Sequence, residues 1–595
     1  MTAPLRVANC SGFYGDRLAA AREMIDGGPI DVLTGDWLAE LTMGVLVKQH
    51  RRDPDAGYAR TFVRQLDDVL ADCLERGIKV VSNAGGLNPH GCAAEIERIA
   101  ARIGRPVRVA VIDGDDATEA YRRLRSEGWT APHLDTGEPL DGDAESPEPE
   151  VVSAYLGGWA IAEALAAGAD VVITGRVTDA AIILGPAAWH FGWARDDWDA
   201  LAGAVAAGHV IECGAQATGG NYAFFTEIPD LTRAGFPIAE ISADGSSVIT
   251  KHPGTGGAVT VETVTAQLLY EVDGPRYLNP DVVTRLDTVH LEEVGPDRVR
   301  ICGVRGEPAP DSVKVGVLLS GGWRNEVTFV LTGLDIEAKA QLAQAALWAA
   351  IPGGEKAFDE VTVRLLRADR PDPATMVDAV ALLTITVQGS DQKRVSSLSR
   401  LAVELGLATY PGLYLTGPPA PGTEISLFWP TLLPADQLTQ RITLDGRSWD
   451  VPLTHTPGPA PSADLPAPAT VPATAISSEG PTTRRPLGTV LGARSGDKAG
   501  NATLGVWARD DAAHAWLRSW WTPERLTELL PEARDRELRL WELPLLRACG
   551  VTIVGLLGRG VAANLNLDSQ AKGLGEYLRA KHVDIPTRLL TREGP

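Results

Sequence analysis

Residues 247–270 read SVITKHPGTGGAVTVETVTAQLLY, and the reading of this stretch sets the fold class. The β-branched run Val248-Ile249-Thr250 ends in Lys251-His252-Pro253. The loop Gly254-Thr255-Gly256-Gly257 follows, and then Val261, Val264, Leu268 and Leu269 recur at helical spacing. Strand, glycine loop and helix start predict an anion site, because the first N–H groups of a helix lack partners and its dipole is positive there. Lys251 would add charge and His252 a titratable group. The alternative is an ordinary strand-to-helix connection with Lys251 in solvent.

The same unit recurs towards the N-terminus. Short apolar strands are expected at 5–10, 30–33, 78–81, 107–112 and 170–173, alternating with helical segments near 17, 58–76, 89–103 and 151–168. Such alternation predicts an α/β region with a mainly parallel sheet flanked by helices. Asn88 then Pro89 is the expected order of N-cap and first helical residue. Ligands of these sheets bind beyond the carboxyl ends of the strands, where the polar residues gather: Asn9 and Ser11, Thr34 and Asp36, Ser82 and Asn83 with Gly85 and Gly86, Asp113. Helix capping is the competing reading of each.

Strand 170–173 ends in Thr174-Gly175-Arg176-Val177-Thr178-Asp179. Arg176 suits a carboxylate or phosphate through its planar fork, or pairs internally with Asp179. His209, Glu212 and Cys213, read as a strand, fall on two faces, and their spacing predicts no metal site. Asn221 lies in the run Thr218-Gly219-Gly220-Asn221-Tyr222.

At 595 residues the chain exceeds one hydrophobic core, so two or three domains are expected. The formal charge of −22 opposes nucleic acid and anionic membrane as partners, so an anionic small-molecule substrate would need a local positive field. The start, MTAPLRVANC, reads as a strand without a leader, and no apolar run is long enough to span a bilayer. Six cysteines without C-x-x-C spacing read as reduced thiols of a cytoplasmic protein.

Antiparallel strands are expected over 287–332, another α/β layer over 335–405 and a strand pair at 440–452. Region 1–452 is thus α/β, with a subdomain split considered near 285. The acidic, Pro/Gly-rich stretch 133–150 reads as a surface loop and the Pro/Ala/Thr-rich stretch 453–486 as a linker. Residues 487–595 predict a small α+β sandwich, with a ferredoxin-like fold as the candidate. In it, a glycine turn carries Arg494, Asp497 and Lys498.

Several words, taken together, resemble the acyclic terpene utilisation (AtuA) family: SNAGGLNP at 82–89, GRVTDA at 175–180, ECGAQ at 212–216 with TGGNY at 218–222, KHPGTGG at 251–257 and YLNP at 277–280. In the small domain, ARSGDK at 493–498 and GLGEY at 573–577 resemble the family's C-terminal module. Lys498-Ala499-Gly500-Asn501 departs from the Lys-Gly-Gly-Asp expected there. The resemblance implies the two-part plan and an association with breakdown of branched acyl chains through acyl-CoA intermediates. It supplies no catalytic set.

Two functional readings follow. The first is an enzyme acting by acid–base chemistry (hydration, lyase cleavage or thioester hydrolysis) on a CoA-linked or free organic acid, with no cofactor beyond CoA as part of the substrate. His252 would be its general acid or base with Asp36 or Asp179 as orienting partner. Ser11, Asn83, Gly85, Gly86, Arg176, Thr178, Asn221, Lys251, Thr255, Gly256 and Gly257 would hold the anion, in a homo-oligomer. The second reading is a non-catalytic scaffold or regulatory subunit of an acyl-CoA carboxylase-type pathway. The absence of H-E-x-x-H, G-x-S-x-G, Walker A and C-x-x-C words motivates it.

Overall fold

The computed structural model describes residues 3–140, 148–453 and 480–590. Positions 141–147 of the acidic stretch and 454–479 of the linker lie outside them.

From the N-terminus the chain forms β1 (Leu5–Asn9), α1 (Ala20–Gly27), β2 (Val32–Gly35), α2 (Glu40–Arg52), α3 (Arg60–Arg76), β3 (Lys79–Ser82), α4 (Pro89–Ile103) and β4 (Val109–Asp113). It continues through α5 (Thr118–Ser126), β5 (Val151–Ala154), α6 (Trp159–Ala166), β6 (Val171–Thr174), α7 (Ala181–Phe191), α8 (Trp198–Ile211), β7 (Pro237–Ile241), β8 (Ser247–Lys251) and α9 (Val261–Leu268). Strands β1-β2-β3-β6-β4 run parallel in that order at the centre of an eleven-stranded sheet. β7 and β8 extend it antiparallel on one side, followed by 298–302 and 290–295. The pair 439–444 and 447–452 closes it beyond β4.

Alternation along the central strands serves two cores. Val7, Val32, Val81 and Val172 pack with α5 to α9 on one face, whereas Ala8, Leu33, Val80 and Ile173 pack with α1, α3 and α4 on the other. This is the three-layer arrangement that alternating strands and helices demand. Because β3 leads to β4 while β6 lies between them, the strand order reverses there. That reversal opens a crevice at the carboxyl ends.

A second sheet is antiparallel and built around the 21-residue strand Ser312–Thr332. That strand pairs with β5, with 380–389 and with 423–434. The small domain is a four-stranded antiparallel sheet, ordered 491–498, 501–508, 548–553, 538–543, under helices 511–520 and 523–529.

Three local expectations are corrected. Residues 151–154 are strand rather than helix, because the edge of the second sheet recruits them in register with Val315–Leu318. Residues 209–211 end helix α8, whose Ala/Gly-rich, largely apolar sequence has little periodicity to separate helix from buried strand. Arg494 to Lys498 lie in a strand paired with Asn501–Gly505, and the turn is Ala499-Gly500. The eleven-stranded sheet takes strands from both sides of residue 285.

Candidate active site

The carboxyl ends of β1, β2, β3 and β6 bring together one connected polar group. Asn83, just past β3, accepts the Trp37 N–H at 2.8 Å and donates Nδ2 to Asp36 Oδ1 at 2.6 Å. Asn9, ending β1, donates Nδ2 to the Glu212 carbonyl at 3.1 Å and accepts the Ser11 N–H at 2.7 Å. Residue 12 must be glycine here, because a Cβ would sit 2.5 Å from the Cys213 carbonyl carbon. Arg176, beyond β6 and only 4% exposed, donates from Nη1 to the Leu38 carbonyl at 2.5 Å and to Asp179 Oδ1 at 3.0 Å. Its own N–H is fixed by Asp115 Oδ2 at 2.7 Å.

The Arg176 guanidinium lies 4.3 Å from the Tyr155 ring centre, and Lys314 Nζ lies 4.5 Å from the same centre. Tyr155 Oη donates to Glu40 Oε1 at 2.9 Å. On the far side, Glu212 Oε1 is 3.2 Å from His209 Nδ1, Glu212 Oε2 is buried without a partner, and Tyr277 packs on the His209 ring. Glu40, Cys213 and Tyr277 are partly exposed, and the space they border is the hollow around which these groups stand.

Electrostatics in this hollow push acids apart in strength. Burial holds the Asp36 carboxyl well above the ordinary carboxylate range, reinforced by Asp179 and opposed by Arg176 and the Asn83 amide. Burial does the same to Glu212, with Asp179 and Glu271 adding to it. Glu40 goes the other way: burial alone would raise it, but Lys314 and Arg176 hold it down at about 2. Burial keeps His209 neutral, lowered to about 4, with Lys498 contributing. Two carboxyls raised by burial thus stand near an Arg176–Asp179 guanidinium–carboxylate pair.

The small domain closes the hollow with cations. Arg494 reaches the Gln216 side chain and lies 4.2 Å over the Tyr270 ring; Lys498 Nζ donates to the Glu271 carbonyl at 3.2 Å and lies 5.6 Å over Tyr277. Lys572 bonds the Tyr270 hydroxyl. Asp497 comes with them, raised to about 7 by burial and by Glu271 and Glu40. Among the described residues no group of three or more His, Cys, Asp or Glu side chains is arranged to hold a metal ion.

Of the residues singled out from sequence, Ser11, Asp36, Asn83, Arg176, Thr178 and Asp179 meet here. The Thr178 N–H is engaged by the Leu156 carbonyl. The 251–257 loop does not join them. His252 Nε2 is 2.9 Å from the Met24 carbonyl and its ring packs against Gly27 and Gly28, so Asp36 and Asp179 do not orient it. Lys251 Nζ is held by Asp297 at 3.0 Å and by the Thr255 carbonyl at 2.8 Å. The Gly256 and Gly257 N–H groups bond Arg233 and Pro229 carbonyls, and the Thr255 hydroxyl bonds the His252 carbonyl. A Cβ at 256 would sit 2.1 Å from the Asp230 oxygen, so the loop's glycines serve close packing.

The start of α9 is filled likewise, by the reciprocal Thr260–Thr263 capping box. Gly85 and Gly86 direct their N–H groups to Thr174 and Asn83 carbonyls. Asn221 is an exposed left-handed turn residue whose carbonyl accepts from Arg494 at 3.4 Å. Sequence reasoning did not single out Glu40, Tyr155, Glu271, Tyr277 or Lys314 for the site, and it set Glu212 aside with the metal question. The word ECGAQ at 212–216 was the available signal for Glu212.

The family model described as "Acyclic terpene utilisation family protein AtuA" matches residues 5–444, and the "AtuA ferredoxin-like domain" matches residues 485–584. No curated protein and no solved structure matches the chain.

Proposed function

This chain belongs to the acyclic terpene utilisation family AtuA, and from that premise we propose that it is an enzyme performing acid–base chemistry on a branched acyl substrate bearing a carboxylate or thioester. The observation that carries this reading is the group Asp36, Arg176, Asp179 and Glu212. Burial there pushes the Asp36 and Glu212 carboxyls well above the ordinary carboxylate range beside an Arg176–Asp179 pair.

A protonated carboxyl in a dry site can donate to a developing enolate or oxyanion, and a neighbouring carboxylate can take a proton from carbon or water. Asp36 is the donor in this reading and Asp179 the acceptor. Arg176 stabilises charge on the substrate carbonyl or carboxylate. Hydration, lyase cleavage and thioester hydrolysis all use these parts.

The test is turnover of branched acyl-CoAs and free branched acids by the purified full chain, followed by mass spectrometry. Asp36→Asn keeps the shape and the Asn83 contact and removes the acid; it should lower the rate by about 100-fold or more while the protein stays folded. Wild-type protein that neither binds nor converts any of these compounds at millimolar concentration would overturn the reading.

A further inference from the structure

Residues 493–498 of the small domain, ARSGDK, end in a lysine at the hollow. Lys498 closes strand 491–498, which pairs residue by residue with 501–508, and the turn between the two is pinned. The Leu557 N–H donates to the Gly500 carbonyl and the Gly555 N–H to Asn501 Oδ1, both at 2.9 Å. Ser495 ties the same strand to helix 574–579, donating to the Ala571 carbonyl at 2.6 Å and accepting the Gly575 N–H at 2.8 Å. The hairpin lies directly on residues 269–271 of the large region. A Cβ at 496 would sit 2.5 Å from Tyr270 Cε2, and one at 505 would sit 2.7 Å from Leu269 Cβ. These glycines permit the close approach of the two domains, and that approach fixes where Lys498 stands.

Of the cations named around the hollow, Lys498 is the least engaged. Arg176 pairs with Asp179 at 3.0 Å and Lys314 with Glu40 at 3.5 Å. Arg494 is taken up by Gln216 and the Asn221 carbonyl, and Lys572 by the Tyr270 hydroxyl. Lys498 Nζ, with three N–H donors, makes one hydrogen bond, to the Glu271 carbonyl at 3.2 Å, and among the described residues its nearest carboxylate, Asp273, is 4.0 Å away. The ammonium lies 5.6 Å from the centre of the Tyr277 ring, which packs on His209. His209 in turn meets Glu212 Oε1, and Glu212 Oε2, in a residue only 5% exposed, has no partner. Burial raises Glu212, with Asp179 and Glu271 adding to it and Arg176 and Lys498 opposing; burial and then Lys498 lower His209. The field of the ammonium therefore reaches both groups. A buried carboxyl oxygen without a partner, in the field of an ammonium with unused donors, is a polar site that a bound group would complete.

We propose that Lys498 is a substrate-binding residue which the small domain contributes to the site, holding an anionic oxygen of the substrate together with Glu212, so that the site is complete only when the two domains are docked. With its proton on Oε2, the Glu212 carboxyl is a donor, and an anionic oxygen between it and the ammonium accepts from both. Lysine suits this place because its compact ammonium acts as a point charge and its flexible stem lets the head move from the Glu271 carbonyl to the substrate. The inference rests on the function proposed above and adds a second cation to Arg176.

Calorimetry on the full chain tests it with two probes of one shape, 3-methylbutanoate and the neutral 3-methylbutanamide, in wild type, Lys498→Gln and Lys498→Arg. Lys498→Gln keeps a donor for the Glu271 carbonyl and removes the charge, whereas Lys498→Arg keeps the charge. Wild type should bind the carboxylate at millimolar concentration and more tightly than the amide. Lys498→Gln should weaken the carboxylate about tenfold and leave the amide unchanged, and Lys498→Arg should restore most of the difference. Melting temperature should not change in either variant. Wild-type carboxylate affinity in Lys498→Gln, an equal loss for carboxylate and amide, or no carboxylate binding to wild type overturns the proposal; the equal loss would make Lys498 a covering residue only. If Asp36→Asn abolishes turnover while Lys498→Gln leaves KM and carboxylate affinity at wild-type values, this inference alone fails. If the carboxylate binds through Lys498 while Asp36→Asn leaves every turnover unchanged, the acid–base reading alone fails.

Discussion

Asp115 shows how one side chain ties the site to pH. It holds the Arg176 N–H from a fully buried position, and burial raises it from its ordinary 3.8 to about 7. Between those values the folded chain keeps a proton that the unfolded chain has released. Its stabilising contribution is therefore full below 3.8 and is lost as pH rises through 7. His209 and His514, both lowered from 6.5 to about 4, act in the opposite sense between those two values. The clean observable is a difference: the melting temperature of Asp115→Asn relative to wild type should climb as pH goes from 4 to 8, and parallel curves would refute the assignment. Arg176→Met should cost about 3 kcal/mol in urea unfolding, because it leaves Asp179 and Glu40 without their buried counter-charge. At this scale the sequence was half legible. Asp36, Asn83, Arg176 and Asp179 follow strands and announce themselves, as polar residues at strand ends do. Glu40, Tyr155 and Lys314 reach the same space from a helix, a loop and a second sheet, and no spacing within the chain records that.

Elements were read well where their signals are local. Asn88 accepts the Gly91 N–H at 2.8 Å ahead of Pro89, as the cap rule requires. The strand, loop and helix over 247–268 also form as expected, yet their chemistry differs from that suggested by the glycines, since Lys251 Nζ, the Gly256 and Gly257 N–H groups and the start of α9 all meet protein acceptors or a cap. Thr260→Ala should therefore lower stability by about 1 kcal/mol in chemical denaturation and leave KM unchanged. His252→Gln should leave kcat within about twofold of wild type, because its ring faces Gly27 and Gly28, and a hundredfold loss would restore it to the mechanism. Where local pattern misled, tertiary pairing was the reason: the edge of the second sheet claims 151–154, and near-uniform apolarity hides helix 198–211. No amount of periodicity analysis separates those cases.

On the scale of the whole molecule, the small domain is held to the large region by apolar packing, in which Trp507, Trp541 and Leu543 join the larger core, and by charge. Arg509 binds both oxygens of Glu227, at 2.9 and 2.8 Å, and Glu262 at 2.8 Å, while Arg494, Lys498 and Lys572 cover the hollow. The double variant Arg494→Ala/Lys498→Ala should speed amide hydrogen exchange over 267–277 without changing it in β1 to β3; equal exchange in both segments would disprove that these cations hold the cover. The two-part plan was visible in composition, but the placement of the small domain over the site was not, because docking depends on surfaces that the chain does not label. The large sheet has a consequence of another kind. Its strand 439–444 is the neighbour of β4 although more than three hundred residues separate them, and the whole second sheet is inserted between. During translation, a nascent chain that has already laid down β1 to β4 keeps that edge unpaired until the ribosome has passed residue 444. Chaperone engagement of the stalled intermediate, rather than of the finished protein, is where this architecture makes its demand on the cell.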